Sequence, residues 1–305
     1  MKLATTKELL AWANKNNRAV CAFNVNNMEL IQAITETANE LNVPIILQLT
    51  NSAQKYAGAA YIKKLVEAAV SSVNTPIALH LDHGDSFEQC KEFIDNGYTS
   101  VMIDGSHHPF EENIAITKSV VDYAKKFGVS VEGELGKIAG IEDHVVSADS
   151  LYTNPDQAAE FVKRTGVDSL AVSIGTAHGA FKYKTAEQAD SLRFDILAEI
   201  QKAIPNTPLV LHGASSVTPE YVKTINTYGG KIENALGVDE KVLAKAIPLG
   251  VRKINIDSDL RLAFTAALRE YFAKNPSEFD PRKYLGAARA KVKEIIRKKL
   301  ESFSK

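Results

Sequence analysis

Cysteine is nearly absent from this chain: Cys21 and Cys90 are the only two, far apart and in apolar surroundings, with no CxxC pair. That excludes a disulfide framework and a thiolate-built zinc site, and leaves two reduced, packed thiols as the expectation. A surplus of either charge is missing as well. With 36 basic and 37 acidic residues, the formal charge of −1 gives no overall attraction to nucleic acid or to an anionic membrane. No apolar run reaches the length of a bilayer span, and the stretch Met1-Lys2-Leu3-Ala4-Thr5-Thr6-Lys7 lacks the apolar core of a secretory signal. A cytoplasmic protein without membrane or nucleic-acid partners is therefore expected. There is also no Gly/Ser-rich linker and no composition break between the halves, so nothing divides the chain in two.

What is present is enough apolar material for a large core, 45% against 24% charged residues. It is arranged in short apolar runs, each followed by a segment of helical period: Ala19–Phe23, Ile45–Leu49, Ile77–Leu81, Ser100–Ile103, Val129–Val131, Ser169–Val172, Leu209–Leu211 and Lys253–Ile256. Between them, Ile31–Leu41 and Glu111–Phe127 place apolar residues on one stripe, as amphipathic helices do. Thr6–Asn16 reads as a helix ahead of the first strand. After the last strand come a helix over Leu260–Lys274, a Pro-punctuated link, and a second helix; its Arg297-Lys298-Lys299 run reads as a solvated face. Strands alternating with helices in this way fit an α/β protein, a single (β/α)8 TIM barrel over 1–305 with a C-terminal helical extension from about residue 275.

The predicted strands end in polar residues: Asn24, Gln48 to Thr50, Asp82 with His83, Asp104, Glu132 and Glu134, Ser173, His212, and Asn255 with Asp257. In a barrel these ends converge on one face, where the chemistry is assembled. Of the seven histidines, His83, His178 and His212 fall at or just beyond such ends. Three imidazoles with an open fourth position are the donor set of a catalytic zinc. His80 precedes its strand end and reads as a packed or supporting residue, while His107, His108 and His144 lie in loops near the same face. Asp104 and Glu134 stay ambiguous: they orient the histidines, hold a metal that has moved from its resting place, or hydrogen-bond within a polar barrel mouth.

Asp82 adjoins a candidate ligand without being one, the position of a proton carrier; a helix cap on Ser86–Asn96 is its plain structural reading. Phosphate sites in such barrels use the loops after the last two strands. Here His212-Gly213-Ala214-Ser215-Ser216 offers close backbone approach and a hydroxyl. Asn255-Ile256-Asp257-Ser258-Asp259-Leu260-Arg261 opens a helix whose free N–H groups favour an anion. Gly179 and Lys182 add a donor and a cation. A Schiff-base mechanism is disfavoured because Lys182 is on a loop, Lys137 lies past a strand, and Lys253 begins the last strand at the wrong end.

Taken in order, Ala22-Phe23-Asn24, Leu79-His80-Leu81-Asp82-His83-Gly84, Ser100-Val101-Met102-Ile103-Asp104, Val131-Glu132-Gly133-Glu134-Leu135-Gly136, Gly175-Thr176-Ala177-His178-Gly179, Leu211-His212-Gly213-Ala214-Ser215 and Asn255-Ile256-Asp257-Ser258-Asp259 resemble the class II, metal-dependent fructose-1,6-bisphosphate aldolases over essentially the whole length. The resemblance implies that His83, His178 and His212 bind a catalytic Zn2+, and that Asp82 transfers the C4-hydroxyl proton. It implies a proton-exchange role for Glu142 on a lid-like loop, Ile138 to Ser150. Gly179, Lys182, Gly213 and Ser215, with Asn255 and Ser258 beside them, would bind the phosphate nearest the ketone, and a monovalent cation such as Na+ is expected at the same loops. Arg261, with Arg282 from a neighbouring subunit of a homodimer or homotetramer, would take the distal phosphate. Two departures from the family pattern keep the hydroxyl: Thr50 stands where serine is usual and Ser258 where threonine is usual. The nearest rival is a tagatose-1,6-bisphosphate aldolase, against which Asp257 argues as an acceptor for a chain hydroxyl. More distant rivals are a zinc hydrolase on the same barrel and a non-catalytic binding protein.

Overall fold

The N-terminal helix, Thr6–Asn16, is set by a reciprocal cap: the Thr5 side chain accepts from the Glu8 amide while the Glu8 carboxylate accepts from the Thr5 amide. Its apolar face, Leu9, Leu10 and Ala13, packs on Val20, Ala22, Ile46 and Ala78, which are inward-facing residues at the starts of strands. The helix thus plugs one end of a barrel, and everything reactive collects at the other. The computed structural model describes residues 3–142, 145–147, 151–181, 183 and 185–305, without the side chains of 141, 142 and 145–147.

Eight parallel strands close the barrel in sequential order: β1 Val20–Asn24, β2 Ile45–Leu49, β3 Ile77–Gly84, β4 Ser100–Ile103, β5 Ser130–Leu135, β6 Ser169–Val172, β7 Leu209–Leu211 and β8 Val251–Ile256. The main apolar core lies between the outward faces of these strands and the surrounding helices, with Cys21, Phe23, Leu47, Leu81, Val101 and Ile254 among its members. Both cysteines are buried and unpaired, and burial pushes the Cys21 thiol up to about 12, so neither is a reactive thiolate. The two C-terminal helices, Ser258–Lys274 and Pro281–Phe303, pack against each other, and the second also lies on the helix Met28–Leu41. No helix among the described residues is long and apolar enough to cross a membrane.

β1 is displaced by one residue, to Val20–Asn24 from Ala19–Phe23, and three other strands differ more from their sequence-based limits, for one reason. β3 runs on through Asp82 and His83 to Gly84, β5 runs on through Glu132 and Glu134 to Leu135, and β8 begins at Val251 rather than Lys253. Polar residues read as strand ends because strands usually bury apolar side chains, but this barrel places polar groups inside itself. Arg252 escapes the same rule by pointing outward, where its guanidinium donates to Asn14 Oδ1 and to the Ile247 and Val251 carbonyls.

After β5 the chain forms a hairpin, Ala139–Glu142 with Val145–Ser147, whose first strand also pairs with Ala177–His178. Gly140 makes that approach possible: it has φ +109, and a Cβ there would lie 2.3 Å from the His178 carbonyl oxygen. The segment expected to be a lid is therefore, in its described part, a sheet that positions His178.

Candidate active site

In a regular strand neighbouring side chains face opposite ways, so Asp82 and His83 cannot both enter the barrel mouth unless the strand breaks. It does break. His83 has φ +53, and the β3–β4 register shifts between Leu81 and Gly84. A left-handed conformation at a non-glycine residue costs about 1–3 kcal/mol and persists only where the surroundings enforce it. Here it brings a carboxylate and an imidazole from adjacent positions to the same face, both fully buried.

One ligand atom each from His83, His178 and His212 lies within 4.8 Å of the others, and all three residues are buried. The hydrogen bonds fix which nitrogens face inward. His212 Nε2 is 2.7 Å from Glu132 Oε1, and His83 Nδ1 is 3.4 Å from Asp104 Oδ2. A carboxylate can only accept, so each ring carries its proton on that side and turns a lone pair inward. Burial above all, with the Lys253 ammonium beneath, holds the His212 imidazole well below its usual range and so in the neutral form that ligates metals. His83 Nε2 and His212 Nδ1 then face each other at 2.9 Å as two lone pairs. Asn255 Nδ2 also lies 3.0 Å from His212 Nδ1, and two ring lone pairs turned to one place suit a cation bound by both, for which an all-imidazole donor set favours zinc.

A second set, His83, Asp104 and Glu134, meets the same distance condition. Burial opposes the Asp104 charge, but His83 and Ser106 outweigh it and keep the carboxyl well below the usual range. Burial and the Asp104 charge push Glu134 well above it, and Glu134 Oε2 is buried without a hydrogen-bond partner among the described residues. A buried carboxylate oxygen left open beside a histidine fits a second cation position.

Asp82 sits in a cradle of three amides. Asn24 Nδ2 at 2.8 Å and Gln48 Nε2 at 3.0 Å donate to Oδ2, and Asn255 Nδ2 at 3.0 Å donates to Oδ1. Burial works against its charge, yet His83, His212, Lys253 and the Asn24 amide prevail and hold the carboxyl below its usual range. The helix-cap role for Asp82 falls away, because Ser86 caps the helix Phe87–Asp95. Asn24, one of the polar strand ends, holds Asp82 together with Gln48, which also donates to Asn24 Oδ1 at 2.7 Å.

Beneath the histidines runs a buried polar chain. Glu132 Oε2 accepts from Lys253 Nζ at 2.9 Å, Lys253 Nζ lies 3.2 Å from His80 Nε2, and His80 Nδ1 is 2.7 Å from Ser100 Oγ. Thr6 on the N-terminal helix closes the chain onto Ser100 and Ser130. His80 is thus a supporting residue, as expected. Lys253 is not at the wrong end of its strand: it is the third residue of β8, faces inward, and is ion-paired to Glu132. Sequence reasoning missed Glu132 and Lys253 as a pair; the available signal was the alternation of Ser130, Glu132 and Glu134 along β5 and of Lys253 and Asn255 along β8. Replacing Glu132 with Gln should lower metal affinity by about 10–100-fold, read by competition with a chelator, since the amide no longer fixes the His212 tautomer.

Of the residues expected to hold phosphate, Gly179, Gly213, Ser215 and Ser258 lie on the loops that follow His178, β7 and β8. Gly213 has φ +62 and passes so close to Ala177 that a Cβ would lie 2.5 Å from its carbonyl. Ser215 Oγ accepts from the Asp257 amide at 3.2 Å, which joins the two loops, and Ser258 opens the helix that follows. Asp257 is paired with Arg261, Nε to Oδ1 at 2.8 Å. Thr50 caps the helix Asn51–Ala57 through its hydroxyl. Gly179, at φ +83, follows His178 directly. Arg282 is not brought to this mouth by contacts of its own chain: its guanidinium pairs with Asp280 and its side chain is 88% exposed. His108 pairs with Glu112 and is not among the converging ligands. Lys182, His144 and the Glu142 side chain lie outside the described residues.

The chain as a whole has counterparts among known proteins. A family model described as "Fructose-bisphosphate aldolase class-II" matches residues 4–305. A fructose-bisphosphate aldolase of Treponema pallidum is 50% identical, covering 96% of this chain and 93% of that protein. One from Thermus caldophilus is also 50% identical, over 99% and 98% of the two chains. Among solved structures, the YdjI aldolase from Escherichia coli K12 superposes with a TM-score of 0.78 at 30% identity, over 99% of this chain and 97% of that one.

Proposed function

Because the chain belongs to the class II fructose-bisphosphate aldolase family, a family of lyases, we propose that it cleaves fructose 1,6-bisphosphate reversibly to dihydroxyacetone phosphate and glyceraldehyde 3-phosphate, with Zn2+ held by His83, His178 and His212. The observation that carries this reading is the pairing of three converging imidazoles with an adjacent carboxylate that is buried, ionised and not itself a member of the ligand set. Zinc held there would supply Lewis acidity at the ketose carbonyl, an effect worth several kcal/mol.

The chain's own residues do the rest. Asp82 accepts the C4-hydroxyl proton as the C3–C4 bond breaks; the C4 oxygen becomes the aldehyde of the leaving triose, and the bonding pair stays with the ketone-side fragment. Asn24, Gln48 and Asn255 fix the carboxylate so that no reorganisation is needed during transfer. Glu142 returns a proton to the remaining fragment. Gly179, Lys182, Gly213, Ser215, Asn255 and Ser258 hold the phosphate nearest the ketone, with a monovalent cation, Na+, at the same loops. Arg261, released from Asp257 or shared with it, takes the distal phosphate together with Arg282 of a second copy in a homodimer or homotetramer; the exposure of Arg282 supports that use. Asp104 and Glu134 offer the cation an alternate place. The whole chain acts as one catalytic unit, in the cytoplasm, in glycolysis and gluconeogenesis.

Zinc-depleted and zinc-restored protein assayed on fructose and tagatose 1,6-bisphosphates tests the reading. Zinc-dependent cleavage with preference for fructose bisphosphate is expected. A preference for tagatose bisphosphate would overturn the role given to Asp257, and hydrolysis without carbon–carbon cleavage would overturn the aldolase itself.

A further inference from the structure

Lys299 lies in the Arg297-Lys298-Lys299 run that the sequence offers as a solvated face, yet its side chain is fully buried. Its ammonium is 2.9 Å from Asp259 Oδ2, 3.0 Å from Glu240 Oε1 and 2.8 Å from Ser216 Oγ. The ammonium thus donates to Ser216 and is ion-paired with two carboxylates. Burial works against the charge, but Asp259 and Glu240 outweigh it and hold the lysine above its usual range.

The acceptors matter because of where they lie. Ser216 directly follows Gly213-Ala214-Ser215, and Asp259 directly follows Asp257-Ser258. Asp259 Oδ2 also accepts the Ser216 amide at 2.9 Å, so both loops are bound together from behind and then to Lys299. The end of the C-terminal helix is itself fixed: the Phe303 carbonyl accepts from the Ala19 amide at 2.9 Å, and Ser304 Oγ donates to the Ala19 carbonyl at 2.7 Å. Charge points the same way. A carboxylate buried directly behind two loops repels a phosphate dianion unless it is neutralised, and the Lys299 ammonium neutralises Asp259 while Lys298, 3.3 Å away, balances Glu240.

We propose that Lys299 is a positioning residue for phosphate recognition, holding the Gly213–Ser216 and Asp257–Asp259 loops in register and cancelling the charge behind them. It rests on the aldolase reading and on phosphate binding at these loops.

The test uses full-length, zinc-loaded protein and inorganic phosphate as a competitive inhibitor. Lys299→Met should raise the phosphate Ki and the KM for fructose 1,6-bisphosphate by about tenfold, with kcat within about threefold of the parent and zinc content unchanged. Lys299→Arg should recover most of the loss. Ser216→Ala, which keeps the Lys299–Asp259 pair, should raise the Ki by about two- to threefold and decides the matter if Lys299→Met does not fold. A folded Lys299→Met with reduced thermal stability but parental Ki and KM overturns the proposal, as does an unchanged Ki in Ser216→Ala where that variant decides. A parent enzyme that neither cleaves the bisphosphate nor is inhibited by phosphate overturns the aldolase reading instead.

Discussion

Asp82→Asn is expected to lower kcat on fructose 1,6-bisphosphate by about 10²–10⁴-fold, the range that a positioned general acid–base group contributes. Asparagine keeps the size and one acceptor oxygen but cannot take a proton. The surrounding amides make the substitution informative. Asn24 and Gln48 both donate to one carboxylate oxygen and Asn255 to the other, so an asparagine satisfies one side and sets its own N–H groups against donors on the other. That mismatch costs about 1–3 kcal/mol of stability, which a thermal melt separates from the larger loss of turnover. Zinc content should stay at the parental level, since Asp82 is not among the converging ligands. Turnover persisting unchanged in a zinc-loaded variant would remove Asp82 from the chemistry.

Loss of the metal should have a comparable effect by a different route. Chelation should abolish cleavage, and stoichiometric zinc should restore it in the parent but not in His212→Ala. Removing His212 takes away one of three donors and also the group that Glu132 orients, so the affinity loss should exceed the about 10–100-fold cost of losing an orienting partner alone. Calorimetry gives a readout independent of turnover: a ligand that binds only the folded state raises the melting temperature, so zinc should stabilise the parent and shift the variant little. Full activity after exhaustive chelation would discard the metal mechanism. The Lys253 ammonium then becomes the group to re-examine, because it is buried in the barrel interior, although its ion pair with Glu132 opposes service as a nucleophilic amine.

Much of the barrel was legible because its signals are local. Each strand is a short apolar run and each following helix a stripe of period 3.6, and both patterns survive without knowledge of any partner. The ends of β3 and β5 were not legible, since Asp82, His83, Glu132 and Glu134 break the apolar runs while the strands continue into a polar interior. Lys299 misled for the converse reason. It stands in a basic run at the end of a helix, and only Asp259, Glu240 and Ser216, each distant in sequence, reveal that it is buried.

The chain's residue pattern alone determined the fold class, the three histidines and Asp82 at the barrel mouth, and the two loops suited to phosphate, because residue type and position along a strand are properties of the chain. The tertiary structure decided what those groups do to one another. The amides on Asp82 come from 58, 34 and 173 residues away, and the carboxylate on His212 from 80. Which side chain faces which depends on strand register and on the left-handed turn at His83, and neither exists until the barrel closes.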